Sequence, residues 1–207
     1  MPIAVPTRRT PAERVATTRR ALLDATVACV VELGYAGTTT TEVAKRAGVS
    51  QGALFKHFPN KAALLAAAVE DLFPRILGDF DAQASGIGLP PGRERAAAVV
   101  DLVWAAYDSP DLQAAVELYV ASRTDRDLAA ALAVVEPPHR ARIHAMAAAL
   151  LPQAAEHPAF AGTVDIVVDA VQGAAMGRLL VLPDQGAATR TAMRDALAAM
   201  LDALGVS

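Results

Sequence analysis

A chain of 207 residues with 54% apolar and 20% charged side chains can bury one sizeable core or two small ones, which excludes intrinsic disorder over most of its length. Alanine accounts for 48 residues and the aromatics for nine, so helix is favoured over strand; the single cysteine, Cys29, excludes a disulfide framework. The net charge of −3 is unevenly spread: residues 1–61 hold nine Lys/Arg against four Asp/Glu, and the rest hold ten against eighteen, as a phosphate-binding head on an acidic body would. The first twenty residues carry Arg8, Arg9, Glu13, Arg14, Arg19 and Arg20, and the apolar stretch 164–182 is broken by Asp165, Asp169, Gln172 and Arg178. Neither a signal peptide nor a membrane span is therefore expected, and the expected location is the cytoplasm.

Residues 1–12, with Pro2, Pro6 and Pro11, read as a flexible basic arm. Over 11–33 the pattern is helical: Leu22, Thr26, Cys29, Val30 and Leu33 recur on one face, and Gly34 stands where a left-handed cap ends a helix. Cys29 on that stripe reads as a small buried thiol. Thr39 and Glu42 form a T-x-x-E capping pair that starts a helix over 40–47. Gly48 breaks it, and Ser50 caps the next helix, over 51–57. Two such short helices joined by a tight turn form a helix-turn-helix, and the first helix is available to hold them.

Asn60 caps a helix beginning at Lys61, whose apolar face of Leu64, Leu65, Val69, Leu72 and Phe73 reaches Pro74, where a kink or an end is expected. The run SGIGLPPG at 85–92 is the clearest loop. Further helices are expected over 93–107, 110–121, 125–151, 158–180 and 187–204, the third of these broken or strongly kinked at Pro137 and Pro138. No segment alternates with period two. The expected fold is all-α, divided into the arm at 1–12, a three-helix helix-turn-helix head at 13–60 and a larger helical body at 61–207.

The stretch 37–64, GTTTTEVAKRAGVSQGALFKHFPNKAAL, can be read position by position. Val43, Ala47, Val49, Leu54 and Phe58 are apolar where the head closes over its core, and Ala44 and Gly48 are small where helices cross closely. Thr41, Lys45, Arg46, Ser50, Gln51, Ala53, Phe55, Lys56 and His57 remain for the outer face, a set rich in donors and poor in acids. Such a face can hold phosphates and offer Ser50, Gln51 and Ala53 to base edges in the major groove of double-stranded DNA.

The order and spacing of Leu22-Leu23-Asp24-Ala25, Glu32-Leu33-Gly34-Tyr35, Thr38-Thr39, the run from Val43 to Ser50, the run from Gly52 to Phe58 and Lys61-Ala62-Ala63-Leu64 resemble the TetR family of transcriptional regulators, over roughly the first third of the chain. The resemblance implies base contacts from Ser50, Gln51 and Ala53 and phosphate contacts from Thr39, Lys56, His57 and Lys61. Phe55 stands where the family most often has tyrosine, so one phosphate hydrogen bond is missing. Ala53 stands where a hydrogen-bonding residue is common and can give only methyl contact, for instance to a thymine.

His57 has no Ser, Cys or carboxylate at helical spacing to form a nucleophile and base, which favours a phosphate contact over catalysis. The body lacks a Gly-rich phosphate loop, H-E-x-x-H and G-x-S-x-G, so no catalytic residue, enzyme activity or cofactor is expected. His139, His144 and His157 are too dispersed for a metal site, although His144, one turn from Arg140, can line a cavity.

Among the alanines of the body, Phe73, Phe80, Trp104, Tyr107, Tyr119, Met146 and Met176 are the large side chains, and all but Phe80 are taken as walls of a ligand pocket, Trp104 and Tyr107 foremost. Gly162, Ala170, Gly173, Ala174, Ala175 and Gly177 make one late helix small-faced, and Ala192, Leu197, Met200, Leu201 and Leu204 give the last one an apolar stripe. The resemblance implies that this pair forms a homodimer, which would present two recognition helices about 34–36 Å apart to a palindrome. The expected function is a repressor that binds its operator as a homodimer and is released by an unidentified small-molecule effector. The alternative is a helical DNA-binding protein without a ligand, acting through protein partners or by coating DNA.

Overall fold

The structure, a computed structural model, describes residues 10–86, 88–177 and 183–205. Within them lie α1 (Pro11–Gly37), α2 (Thr40–Arg46), α3 (Gln51–His57), α4 (Lys61–Ala84), α5 (Arg93–Tyr107), α6 (Pro110–Ser122), α7 (Arg126–Leu150), a 3-10 turn (Ala154–Glu156), α8 (Phe160–Gly177) and α9 (Pro183–Ala203). The described residues contain no strand, and the fold is all-α.

The helix starts follow the capping chemistry. Ser50 Oγ accepts from the Ala53 N–H at 3.1 Å and Asn60 Oδ1 from the Ala63 N–H at 2.8 Å, each satisfying a donor that the first turn leaves without a partner. Thr39 Oγ1 caps α2 through the Glu42 N–H, but the Glu42 carboxylate turns to Arg46 instead of closing the reciprocal half of the box. A complete capping box stands at Thr10 and Glu13, so residues 10–12, assigned to the arm, belong to the start of α1; residues 1–9 of that arm lie outside the described residues.

At the three prolines the helices do not end. Helix α4 continues through Pro74, and α7 continues through Pro137 and Pro138. A proline deprives the carbonyl four residues earlier of its donor. Here Pro74 and Glu70 are exposed, as are Pro137, Pro138, Ala133 and Val134, so the released carbonyls face water. Gly34 does take positive φ, 68° with ψ 176°, yet the chain beyond it resumes a helical turn to Gly37. Gly48 is needed for its backbone and not for close crossing: φ is 69°, and a Cβ placed there would meet nothing within 4 Å. The expected end of the penultimate helix, at 180, lies outside the described residues.

Packing divides the chain differently from the boundary expected at 60/61. One compact unit holds the described residues up to Asp71 together with Ala114–Leu132; the other holds Leu72–Gln113 and the described residues from Ala133 onward. In the first unit Leu22, Leu23, Cys29, Val43, Ala44, Leu54, Phe58 and Leu64 form a closed core, with Val27, Ala47 and Val49 packed against it. Thr26 is fully buried on the same face and satisfies its hydroxyl on the Leu22 carbonyl at 2.7 Å. Leu33, expected on that stripe, is 43% exposed, because the chain turns at Gly34 one residue later. In the second unit α5 packs against α8 and α9, and Val100, Trp104, Val171 and Ala198 are among its most buried side chains.

Candidate nucleic-acid interface and ligand cavity

The outer side of the head follows from what its inner side buries. With Leu54 fully buried and Phe58 nearly so, the seven-residue α3 must turn Gln51, Phe55 and Lys56 to solvent, with Ala53 and His57 half-buried beside them. Phe55 is 47% exposed, a large aromatic left open where the head's own core has no use for it. Thr39, Thr41, Lys45 and Ser50 are exposed on the neighbouring turn and helix. The Gln51 amide donates to Thr41 Oγ1, which ties α3 to α2 and fixes the side chain's direction. Its second N–H and its carbonyl oxygen stay available for the paired donor and acceptor edge of an adenine.

The charges on this face are not equivalent. Lys45 keeps its side chain 77% exposed, with Glu42 at 3.7 Å. Arg46 is engaged by carboxylates, Glu42 at 2.9 Å and Glu32 at 2.7 Å, so it ties α1 to α2. That pairing drives the guanidinium pKa up, chiefly through the hydrogen bond it donates to Glu42, and pulls the Glu42 carboxyl down, chiefly through the same bond accepted from Arg46. Cys29 is buried and its thiol pKa is raised, chiefly by burial, which keeps it in the unreactive form.

Lys61, expected at a phosphate, is engaged within the head. Its Nζ donates to the Tyr35 carbonyl at 2.9 Å and lies 4.0 Å from the centre of the Tyr35 ring. Burial lowers its pKa, opposed by Asp125. Tyr35 is a junction with four uses: its N–H donates to Glu117 Oε1 at 2.5 Å, its carbonyl and ring face hold Lys61, and its hydroxyl donates to Asp125 Oδ2. The hydrogen bond to Asp125, before burial, pushes the phenol up to about 12 and holds the Asp125 carboxyl down. Sequence reasoning missed this junction, since Glu117 and Asp125 lie 82 and 90 residues from Tyr35 and no local pattern links them.

The second unit contains an open-mouthed cavity of about 90 Å³. Of the expected walls, Phe73, Tyr107 and Met146 line it, as does Phe80. Trp104 does not: it is 1% exposed, with Arg190 4.8 Å from its ring centre, and serves as core. Met176 is 38% exposed outside the cavity, and Tyr119 belongs to the first unit. The remaining wall is aliphatic, with Ile76, Leu77, Val103, Ile143 and Val168 among it. The available signal was the spacing of Phe73, Ile76, Leu77 and Phe80 on one face of α4, a pattern outweighed by the search for large aromatics.

The Tyr107 hydroxyl donates to Gln172 Oε1 at 3.0 Å, and burial, then Asp169 and Glu136, push its pKa up to about 12 against the opposing Arg140. Arg140 and His144 both reach Asp165 Oδ1, at 2.7 and 2.9 Å, so His144 is used in a bridge between α7 and α8 and does not line the cavity. His139 is 2% exposed and stacks on Phe73 with ring centres 3.7 Å apart. Among the described residues, no three His, Cys, Asp or Glu side chains gather as a metal-binding set, and no helix is long and apolar enough to cross a membrane.

Residues 22–68 match the model of the bacterial regulatory proteins of the tetR family. An uncharacterized HTH-type transcriptional regulator of Mycobacterium tuberculosis strain H37Rv is 34% identical over 172 residues, which is 82% of this chain and 87% of the relative. Among solved structures, a transcriptional regulator from Rhodococcus sp. Rha1 superposes with a TM-score of 0.65 at 22% identity, over 88% of this chain and 95% of that one. The regulator FadR from Bacillus subtilis, crystallised with stearoyl-CoA, superposes with a TM-score of 0.62 at 14% identity, over 91% of this chain and 99% of that one. These relatives are transcriptional regulators, not enzymes. With its capped helix-turn-helix and its match along both head and body, the chain belongs to the TetR family of DNA-binding transcriptional regulators.

Proposed function

We propose that this regulator is a repressor, located in the cytoplasm, that binds a palindromic operator as a homodimer and leaves it when a small molecule enters the cavity of the second unit. The observation that carries the reading is the pairing, in one chain, of a donor-rich exposed α3 with an apolar cavity that the protein's own side chains leave unfilled. In this reading Ser50, Gln51 and Ala53 meet base edges, Thr39, Thr41, Lys45, Lys56 and His57 meet phosphates, and Phe55 packs against the sugar-phosphate wall. Lys61 acts through Tyr35, as the anchor of the first turn of α4. A relative of the same fold holds an acyl-CoA, which supports the cavity as an effector site.

The dimer reading rests on the faces of α8 and α9. A Cβ added at Gly162, Gly173 or Gly177 would meet nothing within 4 Å, so packing within the chain does not require those glycines. Ile166, Met176 and Met200 are 50%, 38% and 38% exposed. The expected stripe of α9 divides, for Leu197 and Leu201 are buried inside the second unit while Met200 faces outward. Helices α4 and α6 contribute Phe73, Ile76 and Leu112 to the cavity wall, and both also contribute residues to the first unit, so each offers a continuous route by which a filled cavity can bias the head. A ligand that prefers the DNA-incompetent state by about 1–3 kcal/mol would loosen DNA by about 5- to 150-fold.

The test is a gel shift with the protein's own upstream DNA across a salt series. Lys56→Ala is expected to weaken binding on all sequences and lower the salt slope by about one, while Gln51→Ala changes sequence preference. Absence of salt-sensitive duplex binding by the parent protein would sink the reading.

A further inference from the structure

Helix α7 presents His139, Ile143, Met146 and Leu150 at successive helical spacings, and the last three line the cavity of the second unit. His139 lies on the same stripe, behind the ring of Phe73, which also lines the cavity and stacks on the imidazole with centres 3.7 Å apart. His139 is 2% exposed, and its Nδ1 is buried with no hydrogen-bond partner. A buried polar atom left unsatisfied costs about 1–3 kcal/mol, and protein interiors seldom leave one so without another use for it. The wall residues themselves offer no unengaged polar side chain, because the Tyr107 hydroxyl is already donated to Gln172.

Resting on the proposed effector role of this cavity, we infer that its ligand is an uncharged hydrophobe with a hydroxyl group, whose hydroxyl bonds to Nδ1 of His139 once the Phe73 ring swings aside. The cavity wall carries no Lys, Arg, Asp or Glu, so neither an anion nor a cation finds a counter-charge there, and either would be desolvated at high cost. Burial lowers the pKa of His139, with Glu136 opposing and Arg142 adding to the effect, which leaves the ring neutral and unable to pair with a carboxylate. A hydroxyl both donates and accepts, so it satisfies Nδ1 in either tautomer.

Three probes with one chain and different heads test this on the full-length protein: octan-1-ol, octanoate and octyltrimethylammonium, with 1-chlorooctane as the probe that lacks a hydrogen-bonding head. Octan-1-ol is expected to bind by calorimetry and raise the melting temperature, with the two ions at least tenfold weaker. His139→Phe keeps a ring against Phe73 and should weaken octan-1-ol by ~2- to 13-fold while leaving 1-chlorooctane unchanged. Ala147→Trp, on the cavity wall, should remove binding of every probe. The inference is overturned by equal binding of octanoate, by full octan-1-ol affinity in His139→Phe, by octan-1-ol binding that survives Ala147→Trp, or by no binding of octan-1-ol. None of these outcomes bears on operator binding, which the salt-dependent gel shift decides separately.

Discussion

The two compact units use buried space in opposite ways. The first is closed: Leu22, Cys29, Val43 and Leu54 are fully buried, and its polar groups are tied across the chain by Arg46 and Tyr35. The second is left partly open, with a cavity whose wall is aliphatic apart from Phe73, Phe80, Tyr107 and Met146 and whose one polar side-chain group, the Tyr107 hydroxyl, is engaged by Gln172. A head that must hold α3 in one orientation gains from dense packing, since close-packed interiors are stiff. In the proposed reading, a body that admits a ligand cannot fill its own centre.

The largest expected effect separates the units by truncation. Leu54→Ala should cost about 2–5 kcal/mol, whereas Leu77→Ala, half-buried at the cavity wall, should cost about 1 kcal/mol or less; thermal melting of both variants reads the difference. Equal losses would mean that the cavity wall is packed as tightly as the head. Next comes Gly34→Ala. Its Cβ would lie 2.8 Å from Glu117 Oε1, and φ of 68° with ψ of 176° is a conformation almost reserved for glycine, so a loss of about 1–3 kcal/mol is expected in the same assay.

Filling instead of emptying sharpens the contrast. Ala147→Leu, which adds carbon to the cavity, should be neutral or raise stability by up to about 1 kcal/mol, while Ala44→Leu in the closed core should lose about 1–3 kcal/mol. A destabilised Ala147→Leu would show that the space is not empty in solution. The smallest effect is on pH. His139 has a folded pKa below its unfolded one, so the unfolded chain takes up a proton first as the pH falls below about 6.5. Stability should therefore drop with falling pH in that window, and His139→Phe should flatten that part of the melting-temperature profile.

The same division explains what the sequence made legible. Caps, turns and short-range periodicity are written within four residues of where they act, so Ser50, Asn60 and the outward set on α3 could be read directly. At Pro74, Pro137 and Pro138 the choice between an end and a continuing helix was not legible, because proline's local penalty depends on whether the released carbonyls reach water, which only the tertiary fold decides. The cavity was half legible: Phe73, Tyr107 and Met146 were found because they are large, and Ile76, Val103 and Ile143 were passed over because aliphatic residues look alike in core and in pocket. Trp104 shows the converse error, a large aromatic spent on packing. The bond from Lys61 to Tyr35 was not legible, because nothing nearby in the chain reveals Tyr35 as its partner.

Tyr35 also bears on how the molecule comes to be assembled. Its contacts join the end of α1, the start of α4 and the corner between α6 and α7, the last supplied by residues made more than eighty positions later. The DNA-reading unit thus cannot finish itself from its own N-terminal stretch. A fragment ending at residue 71 would lack Glu117 and Asp125 and leave the Tyr35 N–H and hydroxyl without these acceptors. Closing so long a loop slows folding more than it weakens the folded state. During synthesis the head must wait, incompletely locked, until the corner between α6 and α7 has emerged.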